Sequence, residues 1–271
     1  MRHSVEELNA LAKESRRLTM ECIASLGKGH VGGSLGVAEI LTVLYYEIMN
    51  VNPAEPNLKG RDRLVMSKGH AGPGLYAILA MKGYIEKEVL YTLNKPGTIL
   101  PSHCDRLLTP GIDMTTGSLG QGLSNSIGMA LADRLDGNGA HVYCIIGDGE
   151  SQEGQIWEAG MYAAQMKLGN LIAFHDINGQ QIDAPVDDIN SLGDAAGKWR
   201  AFGWNVQEVD GHDVQAIYDA IQEAHKCTDK PNMIVARTVK GKGWNRIAGT
   251  TGSHSRAVSA EDLAEALQDL A

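Results

Sequence analysis

The sequence has 271 residues, enough for one large α/β domain or two small ones, and its 43% hydrophobic and 21% charged residues are ordinary for a globular protein. A net charge of −9 argues against a nucleic-acid partner, and no apolar run approaches the roughly 18 residues that cross a bilayer. The N-terminus has acidic residues where a signal peptide would be apolar, so we expect a cytoplasmic protein without a membrane partner. The four cysteines form no CxxC pair, as is typical of a reducing compartment: Cys22, Cys104, Cys144 and Cys227.

The hydrophobic pattern predicts strands that alternate with helices along the chain. Apolar residues at helical spacing predict a first helix over 5–26, and a second follows a Gly-rich loop at 37–49. Short apolar runs predict buried strands at 63–66, 142–146, 171–174, 205–209 and 233–236. Helical stretches lie between or beside them at 74–81, 119–135, 155–167, 195–202 and 214–224.

This alternation predicts the fold class. Strands separated by helices of this length indicate a three-layer α/β/α fold with a mainly parallel central sheet of about five strands. Because no repeat or linker is evident, we expect a single domain over residues 1–271. Residues 241–258 are rich in Gly, Ser and Thr and predict an irregular loop before a C-terminal helix.

Two strand ends carry the strongest local signal. One predicted strand ends in Gly147-Asp148-Gly149, and a second ends about thirty residues later in Asn178-Gly179-Gln180. The helix between them makes one βαβ unit, so both polar ends emerge at the carboxyl edge of the sheet, where open α/β folds bind ligands. Oxygen atoms of Asp148 and Asn178, with a backbone carbonyl near Gln180, suit a hard divalent cation that also binds a diphosphate. Either piece alone would be interpreted as a turn, but the pair at this spacing favours a metal site.

The paired motif resembles that of thiamine-diphosphate enzymes, which runs from Gly-Asp-Gly to an Asn about thirty positions later. The resemblance implies that Asp148, Asn178 and the Gln180 carbonyl hold Mg²⁺, with Ca²⁺ or Mn²⁺ as other suitable ions. It also implies that Gly149 N–H and Asn178 contact the diphosphate of the cofactor.

Three histidines lie in glycine-bearing loops. His30 is in Gly29-His30-Val31-Gly32-Gly33, His70 is in Ser67-Lys68-Gly69-His70, and His103 precedes Gly117-Ser118-Leu119-Gly120-Gln121-Gly122. A lone loop histidine is usually a satisfied polar residue. Three in such loops indicate a common site. A neutral imidazole offers one hydrogen-bond donor and one acceptor to a polar ligand, and it titrates near neutrality.

These segments resemble the N-terminal region of transketolases from about residue 30 to residue 243. The resemblance implies that His30 and His103 bind sugar hydroxyls and relay protons, and that His70 contacts the diphosphate or the substrate. It further implies that Gly117, Leu119 and Ile182 contact the cofactor. Glu153 is implied to support the cofactor site by joining two active sites across a dimer interface. His254 resembles a further histidine that contacts the diphosphate or the substrate.

The sequence departs from the transketolase pattern at three places. His254 lacks the Gly and Pro that usually follow it, Cys104-Asp105 stands where Pro usually follows His103, and Gln180 replaces an apolar residue. Ketol transfer remains the expected reaction. Pentose-phosphate ketoses are the default donors, while a branched or sulfonated sugar stays open.

Full-length transketolases are more than twice as long as this chain. The resemblance implies that the pyrimidine-binding domain, with the Glu that activates the cofactor, lies on a separate C-terminal subunit. We therefore expect an α2β2 heterotetramer, active only when both subunits are present.

Three alternatives remain open. An α-subunit of a 2-oxoacid dehydrogenase shares the Gly-Asp-Gly motif but would not be expected to carry the Ser-Lys-Gly-His segment. A fragment similar to deoxyxylulose-phosphate synthase has a Gly-His loop but normally belongs to one long chain. A non-catalytic cofactor-binding subunit would have no need for the histidines together with Asp148 and Asn178.

Overall fold

A five-stranded sheet forms the centre of the molecule in the computed structural model, which describes residues 1–271. The strands of the chain are β1 (Lys28–Gly29), β2 (Arg63–Met66), β3 (Val142–Gly147), β4 (Leu171–Ile177), β5 (Asn205–Asp210), β6 (Asn232–Arg237) and β7 (Arg256–Ala257); β1 and β7 lie outside the central sheet. The order in the central sheet is β2-β3-β4-β6-β5, and every neighbouring pair is parallel. The predicted three-layer α/β fold and all five predicted strands are confirmed.

Helices cover both faces of this sheet. They are α1 (Val5–Ala24), α2 (Val31–Leu35), α3 (Ala38–Val43), α4 (Gly72–Lys82), α5 (Gln121–Asp136), α6 (Gly154–Gln165), α7 (Val186–Ile189), α8 (Ala195–Ala201), α9 (Val214–Lys226) and α10 (Ala260–Asp269). Helices α1, α3, α4 and α9 pack on one face, and α5, α6 and α8 pack on the other. None of the helices has the length and hydrophobicity that crossing a bilayer requires.

Strand β3 illustrates why the strands are apolar without interruption. Its side chains alternate between the two cores: Val142, Cys144 and Ile146 lie in one, and Tyr143 and Ile145 in the other. Successive side chains of a strand point to opposite faces, and both faces of this sheet are covered by helices. Each position of the strand must therefore be apolar.

Three segments differ from the prediction, the first being the predicted Gly-rich loop before residue 37, which contains the short helix α2. The predicted helix over 37–49 is α3 followed by a π-helical turn, Leu44–Ile48. The predicted loop over 241–258 contains a short 3₁₀ turn, Thr251–Ser253, and strand β7, which pairs antiparallel with β1. This long-range pairing has no local sequence signal, because each strand has only two residues.

Close packing of α5 on β2 gives a stability prediction. A Cβ added at Gly122 would lie 2.2 Å from Ser67 Oγ and 2.8 Å from Ser67 Cα, whereas Gly128 on the same helix has open space. We expect Gly122→Ala to lower the free energy of unfolding by about 2 kcal/mol, because the added methyl overpacks the core. Gly128→Ala should raise it by about 0.5 kcal/mol through helix propensity. Urea unfolding followed by circular dichroism tests both, and equal stability of the two variants would contradict the predicted clash.

Candidate active site at the carboxyl edge of the sheet

The loops after β3 and β4 are held together by one carboxylate. Asp148 follows β3, and its Oδ2 accepts hydrogen bonds from the backbone N–H groups of Asn178 (2.7 Å) and Gly179 (3.0 Å), which follow β4. Its other oxygen, Oδ1, is buried and has no hydrogen-bond partner. Burial, with Asp176 nearby, raises the pKa of the Asp148 carboxyl to about 7. A buried carboxylate oxygen that lacks a hydrogen-bond partner is well suited to bind a cation.

The other predicted metal ligands lie beside Asp148. The Oδ1 atom of Asn178 accepts the backbone N–H of Gln180 at 3.1 Å, and the Gln180 carbonyl accepts from Lys240 Nζ at 3.2 Å. Both oxygens keep a second lone pair. No group of three or more His, Cys, Asp or Glu side chains is placed to hold a metal. The available donors are instead one carboxylate oxygen, one amide oxygen and one carbonyl oxygen. Such oxygen donors, together with the phosphate oxygens of a ligand, suit a hard cation such as Mg²⁺.

Two buried lysines supply positive charge to the same cleft. Lys68 Nζ donates to the Asp176 carboxylate and to the Gly33 carbonyl, the latter at 3.1 Å. Burial alone would raise the pKa of Asp176, but Lys68 and the Thr238 hydroxyl hold it below its ordinary value. Lys240 has no carboxylate partner, and burial, with Lys68 nearby, lowers its pKa to about 8. A bound anion would stabilise both ammonium groups in their charged forms.

Four histidines line one wall of the cleft. The ring centroid of His30 lies 5.4 Å from that of His70, 5.3 Å from that of His103 and 5.4 Å from that of His254. Burial lowers the pKa of all four rings below the ordinary value, that of His254 to about 4. The imidazoles are therefore neutral at pH 7, and each offers one donor and one acceptor.

Glu150 shapes the loop that carries the glycine-rich segment. Its buried carboxylate accepts the N–H groups of Gly120 (3.0 Å) and Gly147 (3.1 Å), together with the Ser67 hydroxyl. Nearby, Gly117 has a φ of 137°, and a Cβ there would lie 3.0 Å from the His103 ring. Glycine at this position thus allows the loop to pass directly against His103.

The lysines, acidic groups and histidines enclose one cavity of about 360 Å³. Only two of its 20 lining residues are hydrophobic, Leu119 and Ile182. A polar cleft with two lysine ammonium groups, at the carboxyl edge of a parallel sheet, is typical of sites for phosphorylated ligands.

Comparisons with known proteins identify the family. Residues 8–271 match the family model described as "Transketolase, thiamine diphosphate binding domain". The chain is 52% identical to the 6-deoxy-6-sulfo-D-fructose transketolase subunit of Clostridium sp. (strain MSTE9), covering 97% of this chain and 96% of that protein. It is 38% identical to an apulose-4-phosphate transketolase subunit of Phocaeicola vulgatus, covering 98% and 94%. The chain belongs to the transketolase family.

A solved structure agrees with this assignment. The structure of a transketolase variant from Pichia stipitis superposes with a TM-score of 0.93 at 32% identity, covering 97% of this chain and 41% of that one. This chain is thus the thiamine-diphosphate-binding part of a transketolase, a transferase. The relatives that it matches over nearly their whole length are named as subunits.

The structure brings nearly all the predicted site residues of this transketolase chain to one cavity. Ile182 is 62% exposed. Glu153 does not line the cavity; it lies exposed at the N-terminus of α6 and packs against Gly120. The predicted residues that line the cavity are His30, His70, His103, Gly117, Leu119, Asp148, Gly149, Asn178, Gln180, Ile182 and His254.

Sequence reasoning missed five charged residues of the transketolase cleft, one of which is Asp183, next to Ile182. Lys68 lies in the same Ser-Lys-Gly-His segment as His70, and Lys240 lies in a short basic run with Lys242. Glu150 and Asp176 adjoin the two predicted loop motifs. A lysine shortly after a strand, next to a glycine, was the available signal for Lys68 and Lys240. Their partners, such as Asp176 at 108 positions from Lys68, have no local signal.

The half-buried His254 gives a pH prediction for the cofactor-free chain. Its pKa of about 4 lies below the value of about 6.5 in an unfolded chain, so the folded state binds fewer protons between these values. Stability should therefore fall as the pH decreases from about 6.5 to about 4, and His254→Gln should reduce that fall. Urea midpoints at pH 7.0, 6.0 and 5.0 in the presence of a chelator test this. A difference between wild type and variant that does not change with pH would contradict it.

Proposed function

We propose that this chain is one half of a two-subunit transketolase. Its partner is a C-terminal, pyrimidine-binding subunit, and the assembly is an α2β2 heterotetramer that requires a divalent cation, Mg²⁺ first among the candidates. The observation that carries the proposal is the buried, unpartnered Oδ1 of Asp148, which lies in the same cavity as four neutral histidines.

The loop residues after β3 and β4 have the atoms to hold the cofactor's diphosphate. Asp148, Asn178 and the Gln180 carbonyl would hold the cation, and Gly149 N–H, His70, Lys68 and Lys240 would contact diphosphate oxygens. When bound, thiamine diphosphate supplies the electron sink for ketol transfer.

The remaining wall of the cavity suits a polyhydroxylated substrate. We assign His30 and His103 to sugar hydroxyls, because neutral imidazoles can give a proton to one hydroxyl and accept from another. The ring centroid of His254 lies 4.9 Å from that of His70 and 5.4 Å from that of His30, so its ring can contact either the diphosphate or the sugar. Leu119 and the exposed Ile182 supply the apolar contacts for the cofactor's ring system.

A sulfonated ketose is the donor that we propose. The Clostridium relative, 52% identical, is named for 6-deoxy-6-sulfo-D-fructose. Cys104-Asp105 after His103 also departs from the pattern expected of enzymes for pentose phosphates. The reaction breaks the C2–C3 bond of the donor, moves carbons 1 and 2 to an aldose phosphate acceptor, and releases a sulfonated four-carbon aldose.

Reconstitution with a C-terminal transketolase subunit tests subunit dependence and donor choice together. We expect turnover by this chain alone to be below about a thousandth of that of the assembled pair, because half of the site is missing. With the pair, kcat/KM should be at least about tenfold higher for 6-deoxy-6-sulfofructose than for fructose 6-phosphate, which has the same carbon skeleton.

The two parts of this test fail independently. Full activity of the isolated chain would refute the two-subunit proposal. Equal kcat/KM for the two donors, or a preference for xylulose 5-phosphate, would refute only the sulfonated donor.

The dehydrogenase and non-catalytic alternatives are less well supported. Four histidines within 5.4 Å of a neighbouring ring, beside a polar cavity, fit a substrate with several hydroxyl groups better than a small 2-oxoacid. A subunit that only binds the cofactor would not require His30 and His103, which we assign to the sugar hydroxyls rather than to the cation or the diphosphate.

A further inference from the structure

A buried ion pair lies outside the residues that line the cavity. Arg16 of α1 donates from its two terminal nitrogens to both carboxylate oxygens of Glu39, at 2.7 and 2.6 Å. The Nδ1 atom of His212, in the loop between β5 and α9, lies 3.0 Å from Glu39 Oε2. The side chains of Arg16, Glu39 and His212 are at most 7% exposed. This group joins α1, α3 and the loop after β5.

The second ring nitrogen of His212 contacts the loop after β6. Its Nε2 accepts a hydrogen bond from the backbone N–H of Val239 at 2.8 Å. An accepting Nε2 places the ring proton on Nδ1, which then donates to Glu39. Glu39 therefore fixes both the tautomer and the orientation of His212, and Arg16 fixes Glu39.

Lys240 follows Val239 directly. Val239 is 41% exposed, so backbone hydrogen bonds rather than side-chain packing hold this point of the loop. On the other side of Lys240, Gly241 N–H donates to the Gly32 carbonyl at 3.0 Å. The amides of Val239 and Gly241 thus fix the backbone on both sides of Lys240, whose Nζ reaches into the cavity and donates to Gln180 O.

We infer that His212 is a positioning residue, which holds the Val239 amide so that the Lys240 ammonium faces the diphosphate side of the cleft. The inference rests on the proposed function for the identity of the ligand. His212 itself does not line the cavity.

Two substitutions separate the two contacts of His212. In His212→Gln, the side-chain oxygen can replace Nε2 and still accept from Val239, while the bond to Glu39 is lost. In His212→Asn, the amide can replace Nδ1 and still donate to Glu39, while the bond to Val239 is lost. A role limited to the Arg16–Glu39 ion pair would make the Gln variant the more damaged of the two.

Cofactor affinity is the first readout. We expect His212→Asn to weaken thiamine diphosphate binding to the reconstituted complex about fivefold or more, measured by calorimetry with MgCl₂, because one backbone anchor is lost. His212→Gln should stay within about twofold of wild type. In a Lys240→Gln background, His212→Asn should add less than about a twofold change, since its effect passes through Lys240.

Hydrogen exchange of the cofactor-free chain is the second readout. The Val239 amide should be protected in wild type and in His212→Gln, and should exchange at least about tenfold faster in His212→Asn. Because the wild-type measurement needs no variant, it still decides the case where a variant fails to fold.

Three results would overturn the inference. The first is an unprotected Val239 amide in wild type, and the second is tighter cofactor binding by His212→Asn than by His212→Gln. The third is a loss of cofactor affinity on His212→Asn that is as large in the Lys240→Gln background as in wild type. Absence of magnesium-dependent cofactor binding by the wild-type complex would instead refute the proposed function. Hydrogen exchange would still test whether His212 holds the Val239 amide.

Discussion

Replacing Asp148 with Asn should weaken magnesium-dependent binding of thiamine diphosphate by at least about a hundredfold, because the cation loses its one charged protein ligand. The chain itself should not lose stability. Asn can keep an oxygen toward the N–H groups of Asn178 and Gly179, and the substitution removes a buried charge whose other oxygen has no partner. Calorimetry on the reconstituted complex measures the first effect, and urea unfolding of the cofactor-free chain measures the second.

Asp188→Asn provides the control for the loss of one negative charge. Asp188 is exposed on α7 and makes no side-chain hydrogen bond. Its substitution should leave cofactor binding within about twofold of wild type. Retention of magnesium-dependent binding by Asp148→Asn would remove the basis of the proposed metal site.

Replacing His103 with Ala should lower kcat/KM for ketol transfer about a hundredfold or more, because a group that exchanges protons with sugar hydroxyls is removed. Cofactor affinity should change little, since His103 packs on Gly117 and we assign its ring to the sugar rather than to the cation or the diphosphate. Steady-state kinetics of the reconstituted pair, with calorimetry for the cofactor, separates the two effects.

His225→Gln is the matched histidine control. His225 belongs to α9 and contacts the hydroxyl of Tyr143 at 2.9 Å, outside the cleft. It should leave kcat/KM within about twofold of wild type. Unchanged turnover by His103→Ala would favour a non-catalytic role for this subunit.

Burial in the cleft shifts the pKa values of two of its titratable groups. The pKa of Asp148 is raised by burial and that of Lys240 is lowered by burial, so both charged forms are disfavoured in the cofactor-free chain. A divalent cation and a diphosphate would reverse both shifts, because each supplies the opposite charge. We therefore expect binding of the cation and of the diphosphate to be cooperative.

Local patterns were sufficient to predict the strands and the loop motifs at their ends. The strands are buried on both faces, so their apolar runs are unmistakable, as Val142 to Ile146 illustrates. The position of Asp148 and Asn178 at neighbouring strand ends followed from a single βαβ unit. Such features depend on short stretches of chain, where composition and spacing carry the information.

Contacts between distant segments could not be predicted in the same way. The approach of His254 to His30 depends on the pairing of β7 with β1, and each of these strands has two residues. The role of Lys240 depends on its distance from Gln180, 60 positions earlier. Neither contact is indicated by a hydrophobic periodicity or a motif in the sequence.

By itself, the sequence determined the layered α/β architecture, the paired loop motif that we propose as the site for a cation and a diphosphate, and the histidine-bearing loops. Only the tertiary structure decided which oxygen of Asp148 lacks a partner, which lysines enter the cleft, and how His212 contacts Val239. The physical reason is that hydrophobic periodicity and turn chemistry act over a few residues, whereas burial and charge pairing depend on how segments far apart in the chain pack together.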